Sequence, residues 1–275
     1  MGNVAKAIDL VGLYPRSLYG GFKNRKLFEQ VETYFMFIGY PRSGHSVIGS
    51  LLDAHPNIVC AHELGVLKYI LAKFNKHQIY YLLLGNSRSF TEKGRKWSGY
   101  FYRVPNQWQG KFTELRAIAD KAGSGAVLRL KARPWLLRRL RDRIGCQIKL
   151  LHITRNPYDN ITTICSKHSM SLNESIEYYF YLCETVADIR RQLSHGDLFE
   201  LRHEQFIAHP SASLQEICAF LGINAQKDYL RDCASIVFKS PRKTRHNTRW
   251  NSELRNMVKD RMTQFSFLED YSFDE

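Results

Sequence analysis

The segment that most constrains the fold of this chain is residues 34–48, where an apolar run is followed by a turn and a helical pattern. Residues 34–38 are continuously apolar, as in a buried strand of a parallel sheet. The turn contains Gly39, Pro41 and Gly44. Because a strand, a glycine-containing turn and a helix N-terminus together point backbone N–H groups at an anion, the segment predicts a phosphate-binding loop. The alternative is a glycine turn that only allows the helix to pack on the strand.

The spacing within this loop is close to that of nucleoside triphosphatases. Residues 39–46 fit the pattern G-x-x-x-x-G-K-[ST] at every fixed position except one, where His45 replaces the lysine. In triphosphatases that lysine reaches the β- and γ-phosphates, so its replacement argues against triphosphate chemistry. Arg42 instead supplies a positive charge from within the loop. The loop is therefore predicted to bind a phosphate without being a triphosphatase loop.

The charge of the chain points to an anionic ligand. Its 275 residues carry a formal net charge of +14 at pH 7. Such an excess indicates a polyanionic ligand, nucleic acid or a membrane surface as partner. The basic residues are spread over several segments and form no long basic tail, so we favour a small anionic ligand and predict no nucleic-acid partner.

Cysteine usage and hydropathy predict a reduced, cytoplasmic setting. The six cysteines are widely dispersed and none forms a C-x-x-C pair, so neither a zinc site nor a disulfide framework is indicated. The N-terminal residues lack the apolar region of a signal peptide. No apolar run is long enough to span a bilayer, so no membrane span is expected.

The chain is expected to form one α/β domain, residues 33–275, after a basic N-terminal arm, residues 1–32. Residues 85–112 are rich in Gly, Ser, Arg and aromatic residues and are interpreted either as a substrate or lid loop or as a packing segment. The basic residues 239–250 are interpreted either as a solvated loop or as part of an anion site. Strands are predicted at 58–60, 126–131, 148–153 and 198–201. Helices are predicted at 66–84, 112–121, 158–168, 172–193, 210–221 and 251–267.

Charged residues stand at the ends of three predicted strands. These residues are Glu63, Lys131 and Arg155. Open α/β sheets bind their ligands at the edge where the carboxyl ends of parallel strands meet. A triphosphatase would have a magnesium-binding acid where this chain has Arg155, so the sequence predicts a phosphate site built from cations without a metal. For Glu63 the alternative is a solvated surface turn.

Two motifs resemble the sulfotransferases that use 3′-phosphoadenosine-5′-phosphosulfate (PAPS). The first motif of that family is a strand followed by P-[RK]-S-G-T-[TS], which corresponds here to residues 41–46. The second is R-[ND]-P-x-D-x-x-x-[ST], which corresponds to residues 155–163. A third segment, residues 201–210, matches the family's R-Y-E-D-L…P less closely. The motifs have the family's order and separation, and the resemblance covers the chain from about Tyr34 to its C-terminus.

The resemblance implies the fold, the donor and the residues that bind the donor. The implied fold is a single P-loop-like α/β domain with a central parallel sheet flanked by helices, close to the nucleotide kinases. The implied donor is PAPS, the product is 3′-phosphoadenosine-5′-phosphate (PAP), and no metal takes part. The residues implied to bind the 5′ side are Arg42, Ser43, Gly44, His45 and Ser46. The residues implied to bind the 3′-phosphate side are Arg155, Thr163, Lys167, Arg242, Lys243 and Arg245.

The catalytic groups are implied by a narrower resemblance. Residues 52–63 look like the tyrosylprotein and bacterial branch of the family, in which a Glu at the position of Glu63 is the general base. Lys131 resembles the lysine that this branch places on the bridging oxygen. Arg42 is implied to contact the oxygens of the transferred group.

Histidines mark the departures from the family pattern. His45 replaces a threonine and is interpreted either as an N–H donor to the 5′-phosphate or as a base. His203 stands at the usual tyrosine. His62 is the alternative base to Glu63, and only one of the two can face the acceptor, since successive strand residues face opposite ways.

The predicted function is in-line transfer of the sulfuryl group of PAPS to a hydroxyl or an amine or carbamoyl nitrogen of a small-molecule acceptor. The secreted members of the branch carry a membrane anchor and disulfides, which this sequence does not show. The resemblance therefore implies a bacterial enzyme, monomeric or homodimeric, of secondary metabolite biosynthesis, with a polar natural product such as an alkaloid toxin as one candidate acceptor. A magnesium-dependent nucleotide kinase and a polyanion-binding module remain as alternatives.

Overall fold

The computed structural model of the protein describes residues 2–194 and 196–274, with side chains from residue 11 onward. The strands are β1 (Thr33–Gly39), β2 (Ile58–His62), β3 (Lys96–Trp97), β4 (Tyr100–Phe101), β5 (Ala117–Lys121), β6 (Gln147–Thr154) and β7 (Leu198–Arg202). The helices are α1 (Gly2–Lys23), α2 (His45–Leu52), α3 (Val66–Leu71), α4 (Lys76–Glu92), α5 (Ser124–Ala132), α6 (Leu136–Ile144), α7 (Pro157–His168), α8 (Leu172–Arg190), α9 (His203–Ala208), α10 (Pro210–Phe220), α11 (Lys227–Ala234) and α12 (Ser252–Met262). Short 3-10 segments lie at Arg25–Phe28, Thr244–Asn247 and Ser266–Leu268.

Five strands form one parallel sheet in the order β2-β5-β1-β6-β7, and β3 and β4 form a separate antiparallel hairpin. All seven residues of the central strand β1 are buried, which explains its continuous apolar sequence. Its side chains alternate between two cores, because successive strand residues face opposite sides of a sheet. Tyr34, Met36 and Ile38 pack in one core, and Phe35 and Phe37 in the other. The predicted fold class, a parallel sheet flanked by helices, is confirmed.

Two predicted elements are wrong. Residues 126–131 form no strand but lie within helix α5, where Ala126, Val127 and Leu130 are buried at helical spacing. Residues 112–121 form no helix, and their second half is strand β5, in which all five residues are buried. A short apolar run is compatible with either a buried strand or a buried helix, and periodicity cannot separate the two.

The predicted helix over residues 66–84 is two helices, α3 and α4. The second helix begins with a capping box, in which the side chains of Asn75 and Gln78 each accept a hydrogen bond from the other's backbone N–H. Helix α4 continues to Glu92, so the irregular segment expected over residues 85–112 is shorter and contains the β3–β4 hairpin.

The predicted N-terminal arm is mostly a long helix. Helix α1 packs closely on α4, because an added Cβ at Gly20 would lie 2.4 Å from the ring of Tyr81. An added Cβ at Gly21 would lie 2.7 Å from the backbone of His77. The outer limits of the two predicted segments, residues 1 and 275, lie outside the described residues.

Strand β6 and helix α7 agree with the predicted strand and helix that flank Arg155. Helix α7 begins after Asn156, whose side chain accepts a hydrogen bond from the backbone N–H of Tyr158 at 3.1 Å. Pro157 occupies the first turn, where its missing N–H is not needed. Helix α12 begins near the predicted residue 251 but ends at Met262, earlier than the predicted residue 267.

Candidate active site

A cavity of about 630 Å³ opens at the carboxyl ends of β1, β5 and β6. Its walls come from the phosphate-binding loop, the turn after β5, the start and outer face of α7, the β3–β4 hairpin and the basic loop. Its lining includes Arg42, Gly44, His45, Ser46, Glu63, Trp97, Tyr100, Phe101, Lys121, Arg155, Thr163, Lys167, His203, Phe238, Arg242 and Thr244. Open α/β sheets bind their ligands at the carboxyl ends of their strands, and the cavity lies at that edge.

The phosphate-binding loop requires its second glycine. Gly44 has φ 94° and precedes helix α2, whose first N–H groups have no acceptor within the helix. An added Cβ at Gly44 would lie 2.4 Å from Nδ1 of His203. The buried Oγ of Ser43 lies 3.1 Å from the carbonyl oxygen of Tyr40 and 3.2 Å from Oδ1 of Asn160. The side chain of Ser43 therefore points into the protein and stabilises the loop from the side away from the cavity. The residues at the start of α2 line the cavity.

His45 is a neutral, buried side chain. Its ring centroid lies 5.5 Å from that of Phe37, and added Cβ atoms at Gly39 and Gly123 would lie within 3.3 Å of the imidazole. Burial, together with the positive charge of Lys121, lowers the pKa of His45 to about 3. The imidazole therefore contributes no positive charge to the loop at neutral pH.

Arg155 joins two loops that border the cavity. Its Nη1 donates to the carbonyl oxygen of Arg42 at 3.2 Å, and its Nη2 donates to the carbonyl oxygen of Arg242 at 2.7 Å. The guanidinium is buried, and its Nε has no hydrogen-bond partner among the described residues. Burial lowers its pKa, but an arginine remains protonated near neutral pH. A fixed positive charge is thus held at the cavity wall.

Thr163 and Lys167 extend this positive wall along α7. They are one helical turn apart, and both line the cavity. The hydroxyl oxygen of Thr163 lies 3.1 Å from that of Thr244. Helix α7 and the basic loop therefore meet at this point.

The three basic-loop residues predicted for the 3′ side lie in different environments. Arg242 lines the cavity, and its Nη1 donates to the hydroxyl of Tyr100 at 2.9 Å. Lys243 is exposed. Arg245 is buried in an ion pair with Asp159, with Nη1 2.7 Å from Oδ2. Arg245 therefore anchors the loop to α7, and of the three only Arg242 is brought to the cavity.

The lysine at the site is Lys121, which the sequence analysis did not identify. Its Nζ donates to Oε1 of Glu63 at 2.7 Å and to Oγ of Ser46 at 3.0 Å. The Lys121 side chain is 3% exposed, whereas that of Glu63 is 48% exposed. Burial lowers the pKa of Lys121 from its usual value, and the Glu63 carboxylate opposes that shift. Lys121 therefore links the start of α2 to Glu63 across the cavity wall.

Lys131, which was expected at the bridging oxygen, lies elsewhere. It is on α5, with its Nζ 3.6 Å from Oδ2 of Asp188 and 5.4 Å from the ring centroid of Tyr181, both on α8. Because residues 126–131 are helical, Lys131 does not end a strand at the ligand edge. The signal for Lys121 is the short run Ala117–Lys121, followed by a glycine-containing turn as in the first loop.

The position of Glu63 is fixed by β5. Glu63 has φ 57°, and its backbone N–H donates to the carbonyl oxygen of Lys121 at 3.0 Å. The buried carboxylate of Asp120 accepts from the N–H groups of Leu64 and Val66 at 3.1 and 2.7 Å. These bonds turn the chain sharply after β2 and leave the Glu63 carboxylate facing the cavity.

His62 is held in an aromatic stack. Its ring centroid lies 4.2 Å from that of Phe90 and 5.0 Å from that of Trp97. Burial lowers its pKa to about 3, with Lys121 contributing further. Of the two candidate bases, Glu63 lines the cavity and His62 does not.

The β3–β4 hairpin covers the loop side of the cavity. Nη1 of Arg42 donates to Oγ of Ser98 at the hairpin turn, at 3.0 Å. At the base of the hairpin, Arg95 forms a fully buried ion pair with Asp53 at the end of α2, with Nη1 2.7 Å from Oδ2. The hairpin also brings Trp97 and Phe101 to the cavity, where both rings remain partly exposed.

Comparison of the fold shows a likeness to sulfotransferase structures. A sulfotransferase domain from the curacin biosynthetic pathway is 15% identical with a TM-score of 0.51, covering 89% of this chain and 94% of that one. STF9 from Mycobacterium avium is 12% identical with a TM-score of 0.52, covering 91% and 81%. STF1 from Mycobacterium tuberculosis is 10% identical with a TM-score of 0.51, covering 90% and 81%. The fold is therefore that of the sulfotransferases, with a glycine-containing turn between the central strand and helix α2.

Part of the sequence also resembles a known family. Residues 146–227 match the sequence model of the Sulfotransferase family, and this region contains β6, Arg155 and α7. This match spans less than a third of the chain and agrees with the likeness of fold, so the chain is similar to the sulfotransferases both in this part of its sequence and in its fold. A search of curated proteins finds no significant match.

No helix in the described part of the chain has the length and hydropathy needed to cross a membrane. Within residues 2–194 and 196–274, no group of three or more His, Cys, Asp and Glu side chains is arranged to hold a metal ion.

Proposed function

We propose that this enzyme transfers the sulfuryl group of PAPS to a hydroxyl, or to an amine or carbamoyl nitrogen, of a small-molecule acceptor. The observation that carries the proposal is the position of Lys121, whose buried ammonium group contacts both Ser46 of the phosphate-binding loop and Glu63. A cation at this point lies between the donor phosphate and the group that would accept a proton. Such an arrangement stabilises the negative charge that develops as a sulfuryl group leaves a phosphate.

The residues present fit the donor. The start of α2 offers backbone N–H groups to the 5′-phosphosulfate, and Gly44 allows this turn to pack against His203, which a Cβ would approach to 2.4 Å. The 3′-phosphate is assigned to the wall of Arg155, Thr163 and Lys167, where the buried Nε of Arg155 has no described hydrogen-bond partner. Arg242 adds a second cation at the same side. A diphosphorylated nucleotide would thus meet positive charge at both ends.

In the proposed reaction the acceptor oxygen or nitrogen attacks sulfur, and the bond from sulfur to the bridging oxygen breaks. The electron pair of that bond stays on the 5′-phosphate of the product PAP, where Lys121 stabilises it. The resemblance implied this role for Lys131, which lies away from the cavity, and we propose Lys121 in its place. The acceptor proton goes to the Glu63 carboxylate, a general-base step that typically contributes about 10²–10⁴-fold in rate. Arg42 contacts the transferred oxygens after leaving Ser98.

The acceptor side of the cavity supports a ring-containing small molecule. Trp97, Phe101 and Phe238 line it and are 45%, 70% and 50% exposed. Such faces stack on planar groups and on organic cations, so an alkaloid acceptor fits them. One related structure comes from a natural-product pathway, that of curacin, which supports a role in secondary metabolism. We also propose a bacterial, cytoplasmic setting and a monomeric or homodimeric enzyme.

The donor assignment is tested by calorimetry with PAP, AMP and ATP. We expect PAP to bind far more tightly than AMP or ATP, because only PAP places a phosphate on the Arg155 wall. Arg155→Ala should weaken PAP binding at least tenfold, since charge-assisted hydrogen bonds are each worth about 1.5–3 kcal/mol. Arg139→Ala, on the exposed face of α6, is the matched control and should bind PAP normally. Equal affinity for AMP and PAP would overturn the assignment.

The kinase alternative is tested by magnesium. A nucleotide kinase needs the metal for turnover, whereas sulfuryl transfer at this site relies on Lys121 and Arg155. We expect PAP release from PAPS to be unchanged by EDTA. A strict requirement for magnesium, with ATP as donor, would favour the kinase.

A further inference from the structure

The outward face of helix α1 is unusually apolar. Of the fourteen large hydrophobic side chains that are exposed in the described part of the chain, six lie between residues 11 and 27. We define the α1 outer face as Val11, Tyr14, Leu18, Tyr19 and Phe22, which are 41–73% exposed. Four of them recur at spacings of three and four residues, so they form one stripe along the helix. Contiguous exposed apolar surface of this kind marks a site of interaction.

The opposite face of α1 is fixed to the rest of the protein. Ser17 and Gly20 are buried, and Nε2 of Gln78 on α4 donates to Oγ of Ser17 at 3.2 Å. The closest approach is at Gly20, which packs against the ring of Tyr81. The helix therefore uses a small-residue face for packing and turns its large apolar side chains outward.

Basic residues border the α1 outer face. Arg16, Lys23, Arg25 and Lys26 are all exposed. The guanidinium carbon of Arg25 lies 4.4 Å from the ring centroid of Phe22, so charge and aromatic surface are adjacent. An amphipathic helix with aromatic residues on one side and basic residues beside them is suited to the interface of an anionic membrane. There the aromatic rings lie at the headgroup level and long basic side chains reach the phosphates.

We propose that the α1 outer face docks on an anionic phospholipid surface. The helix would lie on the membrane and would not cross it. The charge favours this occupant over a second copy of the chain, because two α1 outer faces in a symmetric contact would bring both sets of bordering basic residues together. The net charge of +14 adds to that repulsion and to the attraction toward anionic lipid. The proposal concerns a surface outside the cavity and does not rest on the proposed reaction.

The test is co-sedimentation of the full chain with vesicles. One set contains phosphatidylcholine alone, and the other an equal mixture of phosphatidylcholine and phosphatidylglycerol. We expect binding to the anionic vesicles, weak binding to the neutral ones, and a loss of binding as the salt concentration rises.

Two variants test the apolar and the charged parts separately. Tyr19→Ser with Phe22→Ser removes two exposed rings and should weaken binding to anionic vesicles at least tenfold. Lys23→Glu with Lys26→Glu reverses two charges and should weaken it by a similar factor. The matched controls are Leu128→Ser, an exposed apolar residue of α5, and Arg138→Glu with Arg139→Glu on α6. The controls should bind vesicles like the wild type.

Each outcome decides the proposal. Loss of vesicle binding in both α1 variants, with normal circular dichroism and normal PAP affinity, supports it. An absence of wild-type binding to anionic vesicles overturns it, as does equal weakening by the α6 charge reversal. A dimer seen by light scattering without lipid, and dissociated by Tyr19→Ser with Phe22→Ser, would show that a second copy covers this face and would also overturn it. If the serine variant fails to fold, the charge-reversal variant decides, because its side chains are exposed.

Discussion

Replacing Lys121 by methionine should lower the rate of sulfuryl transfer without lowering the stability of the fold. The change removes the ammonium group that contacts Glu63 and Ser46 and keeps an unbranched side chain of similar length. A hydrogen bond to a charged group is worth about 1.5–3 kcal/mol, which corresponds to a rate factor of about 10–150 if it acts in the transition state. We therefore expect kcat to fall by about 10- to 150-fold while PAP affinity changes only a few-fold.

The same change should not destabilise the fold. Burial lowers the pKa of Lys121 below its usual value, so the protonated form costs folding free energy at neutral pH, and methionine removes that cost. The carboxylate of its partner Glu63 is half exposed, so water can solvate it when the lysine is removed. Replacement of a buried ion by an apolar group is often neutral or stabilising by about 1–4 kcal/mol. We expect the free energy of unfolding to stay constant or to rise by up to about 2 kcal/mol, which raises Tm by at most roughly 8 °C.

The assay for this prediction does not require the natural acceptor. Release of inorganic sulfate from PAPS measures transfer to water, and thermal denaturation measures stability. Lys131→Met is the matched control, because this lysine lies on α5 away from the cavity, and it should leave sulfate release unchanged. A large loss of sulfate release in Lys131→Met, with normal release in Lys121→Met, would refute the assignment of the catalytic lysine.

Three further predictions concern single residues of the site and its supports. Glu63→Gln should lower turnover by on the order of 10²-fold with PAP affinity unchanged, measured by steady-state kinetics and calorimetry; normal turnover would exclude Glu63 as the base. Gly44→Ala should weaken PAP binding at least tenfold, because its Cβ would meet His203 and its φ is unfavourable for alanine, whereas Gly125→Ala, with open space around it, should bind PAP normally. Arg95→Met should lower the free energy of unfolding by about 3–5 kcal/mol in denaturant titrations, since it leaves a buried carboxylate unpaired; a loss below about 1 kcal/mol would contradict this.

The phosphate-binding loop and the Arg155 motif were predictable because their local sequence determines their structure. A buried strand, a glycine at positive φ and a helix start are all encoded within residues 34–48. Asn156 and Pro157 likewise specify the start of α7 through a cap and a restricted backbone. Each of these features depends on neighbours in the sequence, so the pattern could be recognised without knowledge of the tertiary structure.

The lysine that we propose as catalytic could not be located from the sequence because its position depends on the sheet. Strand β5 has only five residues, and its sequence does not distinguish it from a helix. Lys121 reaches the cavity because β5 pairs between β1 and β2, which are far from it in the sequence. The run that contains Lys131 has the hydropathy of a strand, but its buried residues recur at helical spacing along α5, which packs against α8. Similarly, the sequence shows a basic run around Arg245 but not the ion pair with Asp159, which turns this arginine away from the cavity.

The central place of β1 has a consequence for the order in which the chain folds. Thr33 pairs with Ala117 on one side and with Gln147 on the other, so both neighbours of β1 are synthesised long after it. Until then its apolar residues have no sheet to join, and closing such long loops costs conformational entropy before any pairing is gained. We expect slow refolding of the full chain and aggregation of nascent chains that end before β6. The phosphate-binding loop would then be among the last parts of the protein to reach its native conformation, although it lies near the N-terminal end of the sequence.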